Sequence, residues 1–138
     1  MSFYSEKTRE MILNQRPIDA AIVNRVKQNL TKKGVVLEQS NDWDNYLISQ
    51  GCEGITFSDG TMIMHTRVSA SGFYEELIHY GQIKSGRVLY GDQRSMLLME
   101  IEAKERLIIN RNAYKITDYE IELLTSVLKS YKIDLENL

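Results

Sequence analysis

One short stretch of the chain, Glu75 to Gln82, carries two carboxylates, an imidazole and an amide. On a helix, residues three and four apart share a face, so Glu75, His79 and Gln82 line up and Glu76 stands beside His79. A metal-dependent hydrolase presents its ligands and its base in this way. An ordinary solvated helix face has the same pattern, so both interpretations stay open at this point.

The spacing within this stretch can be compared with the His-Glu-x-x-His helix of zinc peptidases, in which a third ligand comes from farther along the chain. In that register Glu76 takes the place of the general base, His79 that of the second ligand, and Glu75 replaces the first histidine. A carboxylate can bind zinc, and it suits manganese, iron or magnesium better than a second imidazole does. We therefore predict a divalent-metal site, with zinc as one candidate ion.

A second acidic run, Glu100 to Glu105, supplies two candidates for the third ligand. Glu100 falls inside the apolar arc of its predicted helix, and an ionised carboxylate is rarely buried without a charge partner or a metal. Glu102 lies on a different face, beside Leu98 and Ile109. The alternative for Glu100 is a buried carboxylate bonded to a tyrosine, an arginine or a backbone amide.

Two further side chains could orient a ligand or contact a substrate. Gln82 lies about one turn beyond His79 on the same predicted helix, and His65 lies on a predicted strand just before it. A half-buried histidine of the sheet is the alternative interpretation of His65. Other side chains could stabilise an oxyanion, or could simply pack: Tyr80, Tyr90, Tyr114 and Arg94.

Composition limits the classes of function. The chain has 138 residues, 43% of them hydrophobic and 26% charged, which predicts a single folded domain over residues 1–138. A net charge of -2 gives no basic field, which argues against a nucleic-acid-binding module without excluding an enzyme that acts on nucleic acid. The single cysteine, Cys52, excludes an internal disulfide and a cysteine-built zinc site.

The sequence also bears on location in the cell. No apolar run approaches the roughly 20 residues that a membrane-spanning helix needs. The first residues, Met1 to Lys7, lack the apolar segment of a signal peptide. We therefore expect a cytoplasmic protein with no membrane partner.

The first half of the chain predicts helices separated by one short strand. Pro17 suits the first position of the second helix, where its missing N–H costs nothing, and Gly34 suits the end of that helix. Asn41 or Asp42 could cap the third helix, which Gly51 would end. The predicted elements are a helix at Glu6–Leu13, a helix from Pro17 to Lys33, a strand at Val35–Leu37, and a short helix through Trp43–Ile48.

A hairpin is predicted between two alternating runs, Gly54–Phe57 and Thr61–Thr66, because Asp59-Gly60 between such runs is a strong hairpin signal. The Thr61–Thr66 strand is expected at the edge of the sheet, where it would bind an extended peptide by strand addition.

Three helices are predicted after the hairpin. The first is capped by Ser69 or Ser71 and runs to about Lys84, with Gly86 at its end. Arg87–Arg94 is expected to form a loop before a long helix from Ser95 to about Asn112. Thr117 and Glu120 form a capping box for the last helix. The predicted architecture is α+β, with a small antiparallel sheet and hairpin packed against several helices.

These motifs, taken together, give a resemblance. The region from about Gly34 to the C-terminus resembles a zincin-like domain found in phage minor-head-type proteins and bacterial polymorphic toxins. The resemblance rests on Cys52–Thr56, on Phe73–Gln82 with its Glu-Glu-x-Ile-His-x-x-Gln pattern, on Glu100–Ala103 (Glu-Ile-Glu-Ala), and on Ala113–Glu120. It implies Glu76 and His79 as the centre of a site, with Glu75, Gln82, Glu100 and Glu102 around it.

We therefore predict a metal-dependent, peptidase-like hydrolase with Glu76 as the base and His79, Glu75 and Glu100 or Glu102 as ligands, acting on a protein or peptide. Two alternatives remain. One is a phage or prophage interaction or regulatory protein that retains the fold without the metal. The other is a nuclease-type effector that uses the same carboxylates without zinc.

Overall fold

The computed structural model describes residues 3–86 and 91–138, which form an α+β fold as predicted. The helices are α1 (Phe3–Asn14), α2 (Ala20–Lys32), α3 (Asn41–Gln50), α4 (Ala70–Lys84), α5 (Gln93–Ile109) and α6 (Asp118–Glu136), and the strands are β1 (Leu37–Glu38), β2 (Gly54–Thr56) and β3 (Met62–Met64). Residues 87–90 of the expected loop lie outside the described residues, and α5 already begins at Gln93.

Local capping signals set most helix ends. Ser69 caps α4 by accepting a hydrogen bond from the Gly72 amide, and Thr117 with Glu120 forms the predicted capping box of α6. The prediction for Pro17 was wrong, because α2 begins later and is capped by Asp19, whose side chain accepts from the Ala21 amide at 2.9 Å. Pro17 instead lies in an isolated bridge with Ser69, which ties the start of α2 to the start of α4.

The sheet has three strands in the order β1-β3-β2. The predicted hairpin is confirmed: β2 and β3 are antiparallel, with Ile55 opposite Ile63. β1 adds on the other side of β3 in parallel, with Leu37 opposite Met62, so the sheet is mixed. The expectation that the Thr61–Thr66 segment is an edge strand was wrong. Both sides of β3 already have a partner strand, so its backbone offers no free edge to a peptide.

Helix α4 lies between two apolar clusters. Phe73 packs in the first, against α2 and the sheet. Ile78 packs in the second, with Ala103 and Leu107 of α5 and Leu124 of α6. Helix α4 is therefore packed against α2 and the sheet through one cluster and against α5 and α6 through the other. Within the described residues, no helix has the length and apolarity required to cross a membrane.

The segment Glu53–Gly54 packs closely against α4, because Glu53 contacts Gly72 and Glu76 contacts Gly54. A Cβ built on Gly72 would lie 2.5 Å from the Glu53 carboxyl carbon, and one built on Gly54 would lie 2.8 Å from Cγ of Glu76. The Glu53 carboxyl has little freedom to move away, because Oε1 accepts from the Ser69 amide at 2.7 Å and from Gln15 Nε2 at 2.9 Å. Loop and helix therefore approach closely only because glycine stands at both positions.

We expect Gly72→Ala to lower the free energy of unfolding by about 2 kcal/mol, because the added methyl group overlaps a buried carboxyl. Gly81→Ala is the matched control in the same helix: it is exposed, and its Cβ would meet no atom within 4 Å. That change should raise stability by about 0.5–1 kcal/mol, as helix propensity dictates. Urea denaturation of both variants measures the difference, and equal effects would contradict the interlocked packing.

Candidate metal centre

The polar residues of α4 are buried rather than solvated. Glu76, His79 and Gln82 are 5%, 7% and 3% exposed. His79 and Gln82 bond to α5, and Glu76 bonds to β2, so these side chains do not form the ordinary solvated face that periodicity alone allowed. Burying this many ionisable and polar groups is costly unless each is paired, and the structure shows how they are paired.

Three of the predicted ligands converge. Glu75, His79 and Glu100 each offer one ligand atom, and these atoms all lie within 4.8 Å of one another. Glu75 and His79 come from one face of α4, and Glu100 comes from α5, with its Oε1 3.1 Å from His79 Nε2. This carboxylate–imidazole–carboxylate group could hold a metal ion.

A residue that the sequence did not identify completes the cluster. The Lys104 ammonium binds Glu75 and also Glu100, the latter at 2.9 Å. Lys104 is 6% exposed, and its ammonium lies 5.5 Å from the ring centroid of Tyr131 on α6. One signal could have indicated it, since Lys104 follows Glu100 by four residues, the spacing of an ion pair on a helix.

The charges in this cluster balance. Burial disfavours the imidazolium, but the hydrogen bond and charge of Glu100 raise the pKa of His79 from 6.5 to about 9. Burial likewise disfavours the Glu100 carboxylate, yet His79 and Lys104 lower its pKa to about 2. The two carboxylates also raise the pKa of Lys104, against the effect of burial. Near neutral pH the cations Lys104 and His79 therefore face the Glu100 carboxylate, and Lys104 also pairs with Glu75.

Glu76, the predicted base, lies next to this cluster and not in it. Its Oε1 accepts the Thr56 hydroxyl from β2 at 2.7 Å. Burial and the nearby Glu75 charge raise the pKa of Glu76 from 4.5 to about 8. A carboxyl group with such a pKa can exchange a proton near neutral pH.

A cavity gives access to both α4 glutamates. Its volume is about 230 Å³. Its lining includes Glu75 and Glu76 from α4, Gly54 from β2, and Leu123 and Val127 from α6. Small-molecule and peptide side-chain sites in proteins are concave and mainly apolar with a few polar groups, and this cavity has that composition.

Glu102, the other predicted ligand, has a different place. Its Oε1 accepts a hydrogen bond from Gln82 Nε2 at 2.9 Å and lies 4.0 Å from Arg106. Gln82 in turn contacts His79 Nδ1 through its Oε1 at 2.8 Å. Glu102 thus contacts Gln82, which in turn contacts His79, and Glu102 and Gln82 line a separate cavity of about 290 Å³ that also includes Arg94.

The remaining candidates lie away from the cluster. His65 Nδ1 accepts the Arg67 amide at 2.9 Å and lies 3.8 Å from Asp44, so its neighbours are α3 and the loop before α4. Tyr114 stacks on Tyr74 with ring centroids 4.0 Å apart, which is a packing role. Tyr90 lies outside the described residues. The Cys52 thiol is partly buried, which raises its pKa to about 11 and keeps it unreactive.

The donor set fits a borderline divalent ion. Two carboxylate oxygens and one imidazole nitrogen match zinc, manganese or iron, and the His79 ring has the hydrogen-bonded second nitrogen that metal-bound histidines usually have.

Comparisons of the chain with models of protein families, with curated proteins and with solved structures find no match.

Proposed function

We propose that this protein is a metal-dependent hydrolase, peptidase-like and zincin-like, of the phage or prophage type that the motifs resemble, acting in the cytoplasm. The observation that carries the proposal is the convergence of Glu75, His79 and Glu100 within 4.8 Å beside a cavity that Glu75 and Glu76 line. The three side chains come from two helices and meet at one point, as the ligands of a metal ion must.

Each residue has a defined role in this proposal. Glu75, His79 through Nε2, and Glu100 would hold the metal. The bound ion would lower the pKa of a water molecule and polarise the carbonyl of the substrate. The burial and charge that surround these side chains keep them fixed, which saves the cost of ordering them during the reaction.

Glu76 would be the general base. It is held by Thr56 and it borders the cavity. Its pKa of about 8 leaves a fraction of the group ionised at neutral pH, and this ionised form would take a proton from water and return it to a leaving amine. A peptide would enter along the cavity between α4 and α6, where Leu123 and Val127 offer apolar contact. Strand addition at β3 has no part in this proposal, since β3 is the central strand.

One observation favours a second function. Lys104 already binds both carboxylates and the protonated His79 faces Glu100, so the cluster has two cations for its two acidic groups without a metal. A non-enzymatic phage or prophage interaction or regulatory protein would need only this ion-pair network, which would then join α4 to α5. In that case the variants below would change stability and bind no metal.

Elemental mass spectrometry of the purified protein, after incubation with zinc or manganese and removal of free metal, tests the proposal. We expect near-stoichiometric metal in the wild type and its loss in His79→Ala and Glu100→Ala. His65→Ala is the matched control, because His65 lies outside the cluster and should leave the metal content unchanged. Absence of metal from the wild type would reject the hydrolase and favour the interaction protein.

Catalysis needs a separate test. Glu76→Gln should keep the metal and lower the hydrolysis of a peptide library by about a hundredfold or more, because the amide cannot take the proton of water. Loss of metal in this variant would show that Glu76 has a different role from the one proposed.

A further inference from the structure

The amide of Gln82 can adopt only one orientation. Its Nε2 donates to the carbonyl oxygen of Met99 at 3.1 Å and to Glu102 Oε1 at 2.9 Å, and both partners are acceptors. If the amide were flipped, its oxygen would face two other oxygens, and two hydrogen bonds would be lost. The Gln82 side chain is 3% exposed, so water does not offer a ready replacement.

This orientation decides which atom of His79 is available. Gln82 Oε1 is an acceptor and lies 2.8 Å from His79 Nδ1, so Nδ1 must carry the proton of that hydrogen bond. The other ring nitrogen, Nε2, faces Glu100 Oε1 at 3.1 Å. Nε2 can hold a proton directed at Glu100 or can give its lone pair to a cation, while Nδ1 remains a donor in both states.

We propose that Glu102 and Gln82 form a positioning pair that fixes His79 as an Nδ1–H donor and leaves Nε2 as the one ring nitrogen available for a metal ion. The part that concerns the metal rests on the proposed function, whereas the protonation of Nδ1 does not. Glu102 then acts from α5 through Gln82 and is not a metal ligand.

The second histidine provides an internal control. His65 Nδ1 accepts a hydrogen bond from the Arg67 amide at 2.9 Å, so the neutral ring of His65 must carry its proton on Nε2. The chain contains just two histidines, which makes their ring nitrogens simple to distinguish. The two rings are therefore expected to present opposite nitrogens as the permanent donor.

Nuclear magnetic resonance of the protein with ¹⁵N-labelled histidine tests this assignment, first without metal at a pH above about 9, where the His79 ring is neutral, and then at pH 7 with added zinc. We expect a hydrogen-bonded proton on His79 Nδ1 in both samples, and a zinc-induced shift at Nε2. His65 should show an unprotonated Nδ1 throughout. A zinc-induced shift at His79 Nδ1, or an unprotonated Nδ1 in the metal-free wild type, would overturn the proposal.

Two variants examine the role of Gln82. Gln82→Leu removes the acceptor, so the Nδ1 proton should exchange rapidly with water, and zinc affinity should fall roughly tenfold to a hundredfold. Gln82→Glu keeps an acceptor for Nδ1, and because its second oxygen faces Glu102 and the Met99 carbonyl, the new carboxyl should be protonated there and the Nδ1 proton retained. Glu105→Gln is the control: the wild-type carboxylate lies on α5 and pairs at the surface with Lys132 of α6, so this variant should change neither signal.

The outcomes separate the two proposals. If the Nδ1 proton behaves as expected but zinc shifts no signal, the positioning pair stands and the hydrolase is rejected. If zinc binds but Gln82→Leu alters neither the Nδ1 proton nor the affinity, the hydrolase survives and the positioning pair is rejected.

Discussion

Lys104→Met is expected to raise the affinity for zinc by roughly tenfold to a hundredfold, which corresponds to about 1.4–2.7 kcal/mol. In the wild type a divalent ion can bind Glu75 and Glu100 only by displacing the ammonium that already binds them. Methionine has a similar length and no charge, so it removes this internal competitor. Isothermal titration calorimetry of the two proteins measures the change.

The same substitution should destabilise the metal-free protein. Without the ammonium, two partly buried carboxylates lose a common partner, and breaking such a buried pair costs about 3 kcal/mol or more. Added zinc should then raise the melting temperature of Lys104→Met much more than that of the wild type, because a ligand that binds only the folded state stabilises it.

A surface lysine provides the matched control. Lys132 lies 3.5 Å from Glu105, and both side chains are about half exposed, at 50% and 47%. Lys132→Met should change stability by at most about 0.5 kcal/mol and leave zinc affinity unchanged. A Lys104→Met protein that is as stable as the wild type and gains no zinc affinity would contradict the proposed competition.

Glu120→Ala is expected to lower the free energy of unfolding by about 3 kcal/mol. Oε1 of Glu120 accepts from the amide and hydroxyl of Ser71, at 2.9 and 2.8 Å, and Oε2 accepts from the amide and hydroxyl of Thr117, at 2.8 and 2.9 Å. The carboxylate thus caps α6 and also ties it to the first turn of α4. Removal leaves two backbone donors without their acceptor in a buried region.

The effect of Glu120 should depend on pH with a defined sign. Burial raises its pKa, but the hydrogen bonds from Thr117 and Ser71 outweigh burial and lower the pKa below the ordinary 4.5. Because the pKa is lower in the folded state, the stabilisation is present above about pH 4.5 and is lost as pH falls through the folded value. The difference between wild type and Glu120→Gln should therefore shrink between pH 7 and pH 3.

Urea denaturation at the two pH values measures this difference. Glu122→Ala is the control on the same helix, since Glu122 is exposed, and we expect a change of at most about 0.5 kcal/mol at either pH. A Glu120 effect that is as large at pH 3 as at pH 7 would show that packing, rather than the charged hydrogen bonds, accounts for it.

Local signals predicted the elements well. The Asp59-Gly60 hairpin, the start of α4 at Ser69 and the capping box at Thr117 each depend on residues within a few positions of one another, and the structure confirms all three. Where prediction failed, a distant residue was involved: Pro17 pairs with Ser69, and β1 pairs with β3 across α3.

In the candidate site, too, the local arrangement follows from the sequence and the long-range contacts follow from the tertiary structure. The sequence by itself determined that Glu75, His79 and Gln82 share one face of a helix, because helical spacing is a property of the backbone. Only the tertiary structure decided that α5 covers this face. The packing of α4 against α5 then places Glu100 at His79, directs Glu102 to Gln82, and brings Lys104 between the two carboxylates. Periodicity cannot set the rotation of one helix against another, since that depends on how apolar side chains of both helices fit together.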